Sequence, residues 1–353
     1  MKPQLLQTIE NLKGEVEFRK KLAQQHVTGE ILLPDYYDKA EHDQILLQRV
    51  DSTKRKMREL HEHGVALSPF IELGAERCQR SLVLTNDFGA SGFAVDISYH
   101  QLKTASHFAE LFQRPTLPHR VCCDVNNLPF RNGSFPFVFC YEFLHHFPSP
   151  QPILREIYRI LSDGFFFFDE EPFRKPRLVL YKQKDKFYSR ANLRKNQVLR
   201  HLEQFVSEKN FDEQEHGLVE NHDISLRAWL SSLSIFTEKE IHISSFGNRI
   251  RTRLGNRISP KNIPNMLLGG GVTGLCRKKG VDLAIRSELA DLLLCPNCMS
   301  NSPNQDHDQP ALIREPNAFR CSSCGSTFPI IDGIMFLLPS RLFQALYPEF
   351  VDR

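Results

Sequence analysis

Glycine is thin where it would be most telling. The 353-residue chain has 18 glycines, yet the turn after its first apolar run, GAERCQ, carries no G-x-G-x-x-G, which removes from that place the pyrophosphate-cradling turn that a nicotinamide dehydrogenase needs. Long apolar runs are missing too, since none approaches the roughly 18 residues of a membrane-spanning helix. The opening MKPQLLQTIENLKGEVEFRK is charged and helical in pattern, without the apolar core of a signal peptide. Charge of one sign is also lacking. The 45 Lys and Arg face 42 Asp and Glu, for a formal +3, and such a balance says little about partners by itself. These absences make a reducing, cytoplasmic compartment the expectation, with no membrane span. At 41% hydrophobic and 25% charged, the chain is long enough for one large core and a small satellite.

What is present is a series of short apolar runs that meet acids. Ser68 to Leu73 is mostly apolar, carries Glu72 and stops at Gly74; bounded by a turn residue, it reads as a buried parallel strand. Gly74 stands where strand gives way to helix, a place where backbone approaches a ligand without a Cβ in the way. Gly92 to Val95 ends in Asp96, 22 residues after Gly74, close to the ~20-residue spacing at which an acid accepts the hydroxyls of a ribose. Arg120 to Cys123 ends in Asp124, an acceptor for an exocyclic amine such as adenine N6. A lone acid after an apolar run is more often a solvated strand end. Three of them at successive strands point instead to one bound nucleoside.

The segments FIELGAE, GFAVDIS, CCDVNNLPF and FPFVFCYEFLHHF together resemble the class I S-adenosylmethionine-dependent methyltransferases, in particular the small-molecule branch whose third motif reads D-x-x-x-L-P-F. Here that motif is Asp124, Leu128, Pro129 and Phe130, and the resemblance covers about Ser68 to Pro172. It implies an α/β fold, a Rossmann-like methyltransferase sheet with helices on both faces, and S-adenosylmethionine as cofactor. It also implies that Glu72 faces the amino-acid end of the ligand, Gly74 lines its methionine moiety, Asp96 holds the ribose, and Asp124 with Val125 the adenine. Ile97 and Tyr141 complete the implied cofactor set. The chain departs from the family in its loop E/D-x-G-x-G-x-G, which here is Glu72, Gly74, Glu76 and Cys78 with two of three glycines replaced. A sulfonium ligand has no pyrophosphate and asks for less close backbone approach, so the loss is tolerable. Glu76 either favours the cation or fills the pocket. Pro136 replaces the aspartate of the family's SFDxV.

Nine cysteines are present, four of them as Cys295-Pro-Asn-Cys298 and Cys321-Ser-Ser-Cys324. Two such knuckles supply four thiolates for tetrahedral zinc, and a four-cysteine set leaves no open position for water, so the zinc is expected to be structural. The 22 intervening residues slightly exceed the usual roughly 15 to 20. The alternative, two disulfides or four buried thiols, has no secretory signal behind it. The flanks LLLCPNC and CSSCGSTFPIIDGIMFLLP resemble the small zinc-ribbon proteins that partner and activate RNA- and protein-modifying methyltransferases. Phe328, Pro329, Ile330, Asp332, Gly333 and Ile334 carry that match, which spans about Leu292 to Pro339. The remaining Cys78, Cys122, Cys123, Cys140 and Cys276 are expected to be reduced and mostly buried.

The expected organisation is an N-terminal helical cap at 1–64, a methyltransferase domain at 65–282 with a basic and acidic insertion at about 172–240, a zinc ribbon at 283–342 and a C-terminal tail at 343–353. Helical spacing over Gln4 to Ala23 and Lys39 to His63 places two helices over the pocket mouth, with Tyr36 and Tyr37 between them read chiefly as packing residues. Glu240 to Phe246 and Asn265 to Lys278 have strand character and would close the sheet; between them lie Arg249, Arg251, Arg253 and Arg257. Basic residues dominate 174–200 and acids 203–223, and opposed blocks often pair on one solvated surface. A basic arm would suit a phosphorylated, nucleotide-linked or nucleic-acid substrate, yet no alternation of aromatic and basic residues marks an RNA platform, so nucleic acid is not favoured.

Methyl transfer from a sulfonium is an in-line displacement in which alignment supplies much of the rate, and a base is needed only for a hydroxyl or a protonated amine. His145 is one candidate. Asp169, Glu170 and Glu171, at the carboxyl end of the fifth strand, bind a substrate amine, deprotonate a hydroxyl or cap a segment; Glu170 is the second catalytic candidate. Two functions remain open at the level of sequence. One is a methyltransferase acting on an O, N or C acceptor of a small or carrier-linked molecule, with RNA and protein as further substrates. The other is a degenerate scaffold or binding protein. The sequence sets no oligomeric state.

Overall fold

The computed structural model describes residues 3–28, 39–173, 181–182, 207–208, 224–245, 250–255, 257–268, 270–280, 289–301 and 311–351. Tyr36, Tyr37, Arg249 and nearly all of the basic and acidic blocks lie outside them. Five strands form the parallel heart of an α/β sheet: β1 (Phe70–Leu73), β2 (Gly92–Asp96), β3 (His119–Cys122), β4 (Phe135–Tyr141) and β5 (Leu161–Pro172), in the order β3-β2-β1-β4-β5. Their sequences are apolar on both faces because both faces are covered. Phe166 and Phe168 of β5 pack with Trp229, whereas Phe167 packs on the other face with Phe70, Phe137 and Phe139. Two residue pairs, Tyr181–Lys182 (β6) and Ser207–Glu208 (β7), make a separate short parallel sheet.

Beyond β5 the direction reverses. β8 (Glu238–Ser245) and β9 (Ile250–Leu254) come before β10 (Gly271–Lys278) in the chain, but β10 inserts antiparallel between β5 and β8. The closing strands expected from the sequence are therefore present, except that Ile263–Leu268 is helical. The parallel order reverses between β1 and β4, and an open α/β sheet gathers a ligand at the carboxyl edge of such a point. Gly74, Asp96 and Asp124 stand at or just past the carboxyl ends of β1, β2 and β3.

The two N-terminal helices are α1 (Pro3–Thr28) and α2 (Lys39–Glu62), followed by α3 (Gln79–Asp87), α4 (Tyr99–Lys103), α5 (Ala105–Leu111) and α6 (Gln151–Ile160). Leu46 and Val50 of α2 pack on Leu82 and Val83 of α3, while Val16 of α1 joins Tyr99 and Leu102 of α4.

Contacts cross three of the expected boundaries. The cysteine ribbon is not a satellite. Its strands β11 (Leu312–Glu315), β12 (Ala318–Cys321), β13 (Thr327–Ile331) and β14 (Ile334–Phe336) form an antiparallel meander whose last member pairs parallel with β3, giving one 12-stranded sheet. Asp332 and Gly333, at φ 52° and 71°, make the two-residue Asp-Gly turn that suits a hairpin. Lys103 binds the Asp332 carboxylate at 2.8 Å, and Arg120 Nη2 donates to its carbonyl at 2.9 Å. The expected C-terminal tail is packed where it is described, up to Val351. Ser340–Leu346 is a helix, Tyr347 is fully buried, its hydroxyl donates to the Ile97 carbonyl, and Tyr99 N–H donates to it at 3.0 Å. Finally, the end of the expected insertion belongs to the core, where Trp229 Nε1 donates to the Pro172 carbonyl at 3.1 Å.

Candidate cofactor site and metal centre

A cavity of about 630 Å³ opens at the carboxyl edge of the sheet, within the range of small-molecule sites. Gly74, Asp96, Ile97, Asp124, Val125 and Tyr141 all line it. Helix α1 covers one side with Leu12, Glu15 and Arg19, and α2 contributes Arg49. Helical periodicity predicts such helices but not the strand ends they cover, so Arg19 and Arg49 had no signal as site residues.

Each acid has a defined local environment. Asp96 Oδ2 accepts from Glu76 N–H at 2.9 Å and Oδ1 from Ser98 N–H at 2.8 Å, so this carboxylate ties together the loops after β1 and β2. Burial pushes Asp96 up to about 6, against the Ser98 hydrogen bond and the nearby Arg19 charge. Asp124 Oδ1 accepts from the Asn126 backbone and side-chain amide, both at 2.9 Å, and burial raises it as well.

The glycine loop keeps a glycine-like backbone without the glycines. Glu76 and Cys78 adopt φ of 46° and 61°, left-handed values that cost a non-glycine residue about 1 kcal/mol or more. Glu76 does not fill the cavity. Its carboxylate binds Arg19 Nη1 at 2.6 Å, and although burial acts to raise it, Arg19, Arg77 and Arg80 hold it down to about 2. Gly74 is the one glycine the loop cannot lose. At φ 65°, a Cβ there would sit 2.3 Å from Phe143 Cδ2. Gly74→Ala is expected to push the Phe143 ring into the cavity, cost about 1–3 kcal/mol of stability and weaken S-adenosylhomocysteine binding at least about tenfold, as read by chemical denaturation and titration calorimetry.

Three expected site residues lie elsewhere. Glu72 is outside the cavity lining because Ser81, at the start of α3, takes its carboxylate through both N–H and hydroxyl. Burial raises Glu72 to about 7. Its contact in the structure is with a helix N-terminus, which favours an acid. His145 is buried with Nδ1 3.0 Å from Glu171 Oε2, and its neighbour His146 lines the cavity instead. Glu170 is exposed, holds φ 61° and is likewise outside the lining.

Glu171 is the structural centre of this edge. Its fully buried carboxylate accepts from the N–H groups of Phe143, Leu144 and His145 at 2.7, 2.8 and 3.2 Å, so of its three sequence roles it takes capping, applied to the loop after β4. That loop places Phe143, His146 and Phe147 on the cavity. Glu171→Gln turns an amide NH₂ toward backbone donors, and is expected to cost about 2–4 kcal/mol with roughly tenfold weaker S-adenosylhomocysteine binding; unchanged unfolding midpoints in urea would refute this.

The second cluster comprises Cys295, Cys298, Cys321 and Cys324, whose sulfurs all lie within 4.8 Å of one another. Cys295 and Cys324 Sγ are 3.6 Å apart, Cys298 and Cys321 Sγ 3.8 Å. Four sulfurs about 2.3 Å from a tetrahedral zinc stand about 3.8 Å from one another, so the donor set fits that ion in number, type and spacing. Ser323 and Cys324 N–H point at Cys321 Sγ, at 3.4 and 3.5 Å, an arrangement that supports a thiolate there.

Comparison with known proteins adds to this geometry. Residues 71–168 match the family model described as a methyltransferase domain. Over 88 residues the chain is 31% identical to sterol methyltransferase-like 1 of Botryococcus braunii, which covers 25% of this chain and 23% of that protein. The chain thus matches about a quarter of the length of that curated relative. Among solved structures, it is similar to an S-adenosylmethionine-dependent methyltransferase of Thermotoga maritima described as a possible histamine N-methyltransferase, at 12% identity and TM-score 0.38, covering 67% of this chain and 92% of that one. It is similar also to a structure of the Haloferax volcanii Trm112 methyltransferase activator in complex with a methyltransferase, at 13% identity and TM-score 0.38, covering 68% and 98%. Identities and scores this low carry no chemistry over to this chain. No described helix is long and apolar enough to cross a membrane. The sequence match is bounded by its extent: residues 71–168, the stretch holding most of β1 through most of β5, are similar to a methyltransferase domain.

Proposed function

We propose that this chain transfers a methyl group from S-adenosylmethionine to a small or carrier-linked acceptor in the cytoplasm, with zinc bracing the fold. One observation carries the reading: Gly74, Asp96, Ile97, Asp124, Val125 and Tyr141, contributed by four separate strand ends, line a single cavity. In it Asp96 would accept the ribose hydroxyls and Asp124 with Val125 would hold the adenine. The donor brings its own activated methyl, so the protein's part is alignment and exclusion of water. His146 replaces His145 as the imidazole closest to that chemistry. The scaffold reading loses support because Glu76, which could have filled the pocket, is drawn aside by Arg19. The zinc held by four cysteines would be structural, since such a set leaves no coordination position for substrate.

The test is incubation of the purified chain with methyl-labelled S-adenosylmethionine and size-fractionated cell extract. The expected result is label in the low-molecular-mass fraction, absent with Asp96→Ala. Label appearing only in RNA or protein would replace the acceptor class, and no donor-dependent label in any fraction would contradict the reading.

A further inference from the structure

Two arginines line the cavity without a bonded acid. Arg80, on the first turn of α3, is only 7% exposed, lines the cavity and lies over the Tyr141 ring, 4.0 Å from its centroid. Arg49 reaches the same cavity from α2. Neither makes an ion pair or a side-chain hydrogen bond among the described residues. Arg19 shows the contrast, bound to Glu15 at 2.7 Å and Glu76 at 2.6 Å. Of the acids around them, Glu76 is bound by Arg19 and Glu72 by Ser81, while Glu142 lines the same cavity without bonding either arginine. A guanidinium has five N–H donors and stays charged, and leaving one buried without an anion is unfavourable.

Position says which ligand brings the anion. Both arginines act electrostatically on the same two carboxylates, Glu76 after β1 and Glu170 near the end of β5. Tyr141, under Arg80, ends β4. A donor with its adenine at Asp124 and ribose at Asp96 lies over β3 and β2 and brings its methionine end to Gly74 just past β1, the strand beside β4. The arginine pair stands at that end, where the methyl is carried and an acceptor must meet it. We infer that the methyl acceptor carries an anionic handle, a carboxylate or phosphate, which Arg80 and Arg49 hold beside its reacting atom. This rests on the methyl-transfer reading and names the substrate class within it. The handle is not the nucleophile, because pairing with two guanidinium groups would quench it. In the transfer, a lone pair of a separate O, N or C atom forms the new bond to the methyl carbon as the carbon–sulfur bond breaks. The released pair stays on sulfur as a neutral thioether, and the acceptor's proton passes to solvent.

The test uses the full, zinc-loaded chain labelled with [15N]arginine, following the arginine Nε–H resonances during titration with acetate and with inorganic phosphate, alone and with saturating S-adenosylhomocysteine. The Arg80 and Arg49 signals, assigned by their loss in Arg80→Gln and Arg49→Gln, are expected to shift saturably with and without the nucleoside. S-adenosylhomocysteine affinity should change less than about threefold in Arg80→Gln. Should that variant misfold, Arg80→Lys keeps the charge, loses the fork and should weaken the anion response several-fold. Unmoved signals would overturn the anion site. An anion response abolished by S-adenosylhomocysteine, together with about thirtyfold weaker binding of that nucleoside but not of 5′-methylthioadenosine in Arg80→Gln, would assign the arginine to the donor's own carboxylate and overturn the acceptor handle. If the wild-type chain binds no S-adenosylhomocysteine at all, the methyl-transfer reading falls and takes the acceptor with it, while the phosphate titration still decides the anion site by itself.

Discussion

Asp96→Ala is expected to weaken S-adenosylhomocysteine binding by about a hundredfold or more. Two charge-assisted hydrogen bonds to ribose hydroxyls at about 1.5 kcal/mol or more each account for that factor. The substitution also strands the Glu76 and Ser98 amides that Asp96 now satisfies, so Asp96→Asn, which keeps an acceptor oxygen, separates loop geometry from charge. Titration calorimetry on both variants makes the measurement. If alanine and wild type bind alike, the ribose contact is elsewhere. The pH dependence follows from the carboxyl being raised to about 6 by burial. Between its ordinary value near 4 and 6 the folded chain binds the extra proton, so Asp96 contributes stability that is present below about pH 4 and lost as pH rises through 6. Ligand binding runs the other way. The ribose needs the ionised carboxylate, and affinity should fall, by at most about tenfold per pH unit, as pH drops below 6.

Cys321→Ser is expected to lower the unfolding midpoint by about 10 °C or more and to cut bound zinc from one per chain to a trace. A structural four-cysteine site holds its metal with apparent binding free energies of about 10–16 kcal/mol, and even part of that linked to folding moves a chain of this size by many degrees. The effect should reach the nucleoside site, because Cys321 ends β12, the meander continues to β14 beside β3, and Tyr347 just beyond it fixes the Ile97 carbonyl at the cavity. Weaker S-adenosylhomocysteine binding should accompany zinc loss. Metal analysis, scanning calorimetry and ligand titration check the three parts. A variant that loses zinc but keeps both midpoint and affinity would show that the ribbon stands apart.

Local chemistry was legible, and long-range pairing was not. Asp96, Asp124 and Gly74 could be placed because each sits at a strand end, where an apolar run stops at a residue with one job. The cysteine knuckles were legible for the same reason, since ligand type and spacing are set within four residues. His145 and His146 could not be told apart, because Glu171 from a different strand decides which ring is tied down. For Glu72, nothing in its own strand shows that Ser81 would fold back onto it. The pairing of β14 with β3 joins residues more than 200 positions apart, beyond any local pattern. The C-terminal helix was different. Phe343, Tyr347 and Phe350 follow helical spacing, and all three rings pack with Phe336, so that stripe was there to be read.

The account turns on whether one adenosyl group fills the cavity between β3 and β4. Titration calorimetry of S-adenosylhomocysteine into the zinc-loaded chain tests it most directly. One saturable site per chain with a dissociation constant of about 10 µM or lower, lost in Asp96→Ala, is the expected result. Absence of heat and of any thermal shift at millimolar ligand would contradict it.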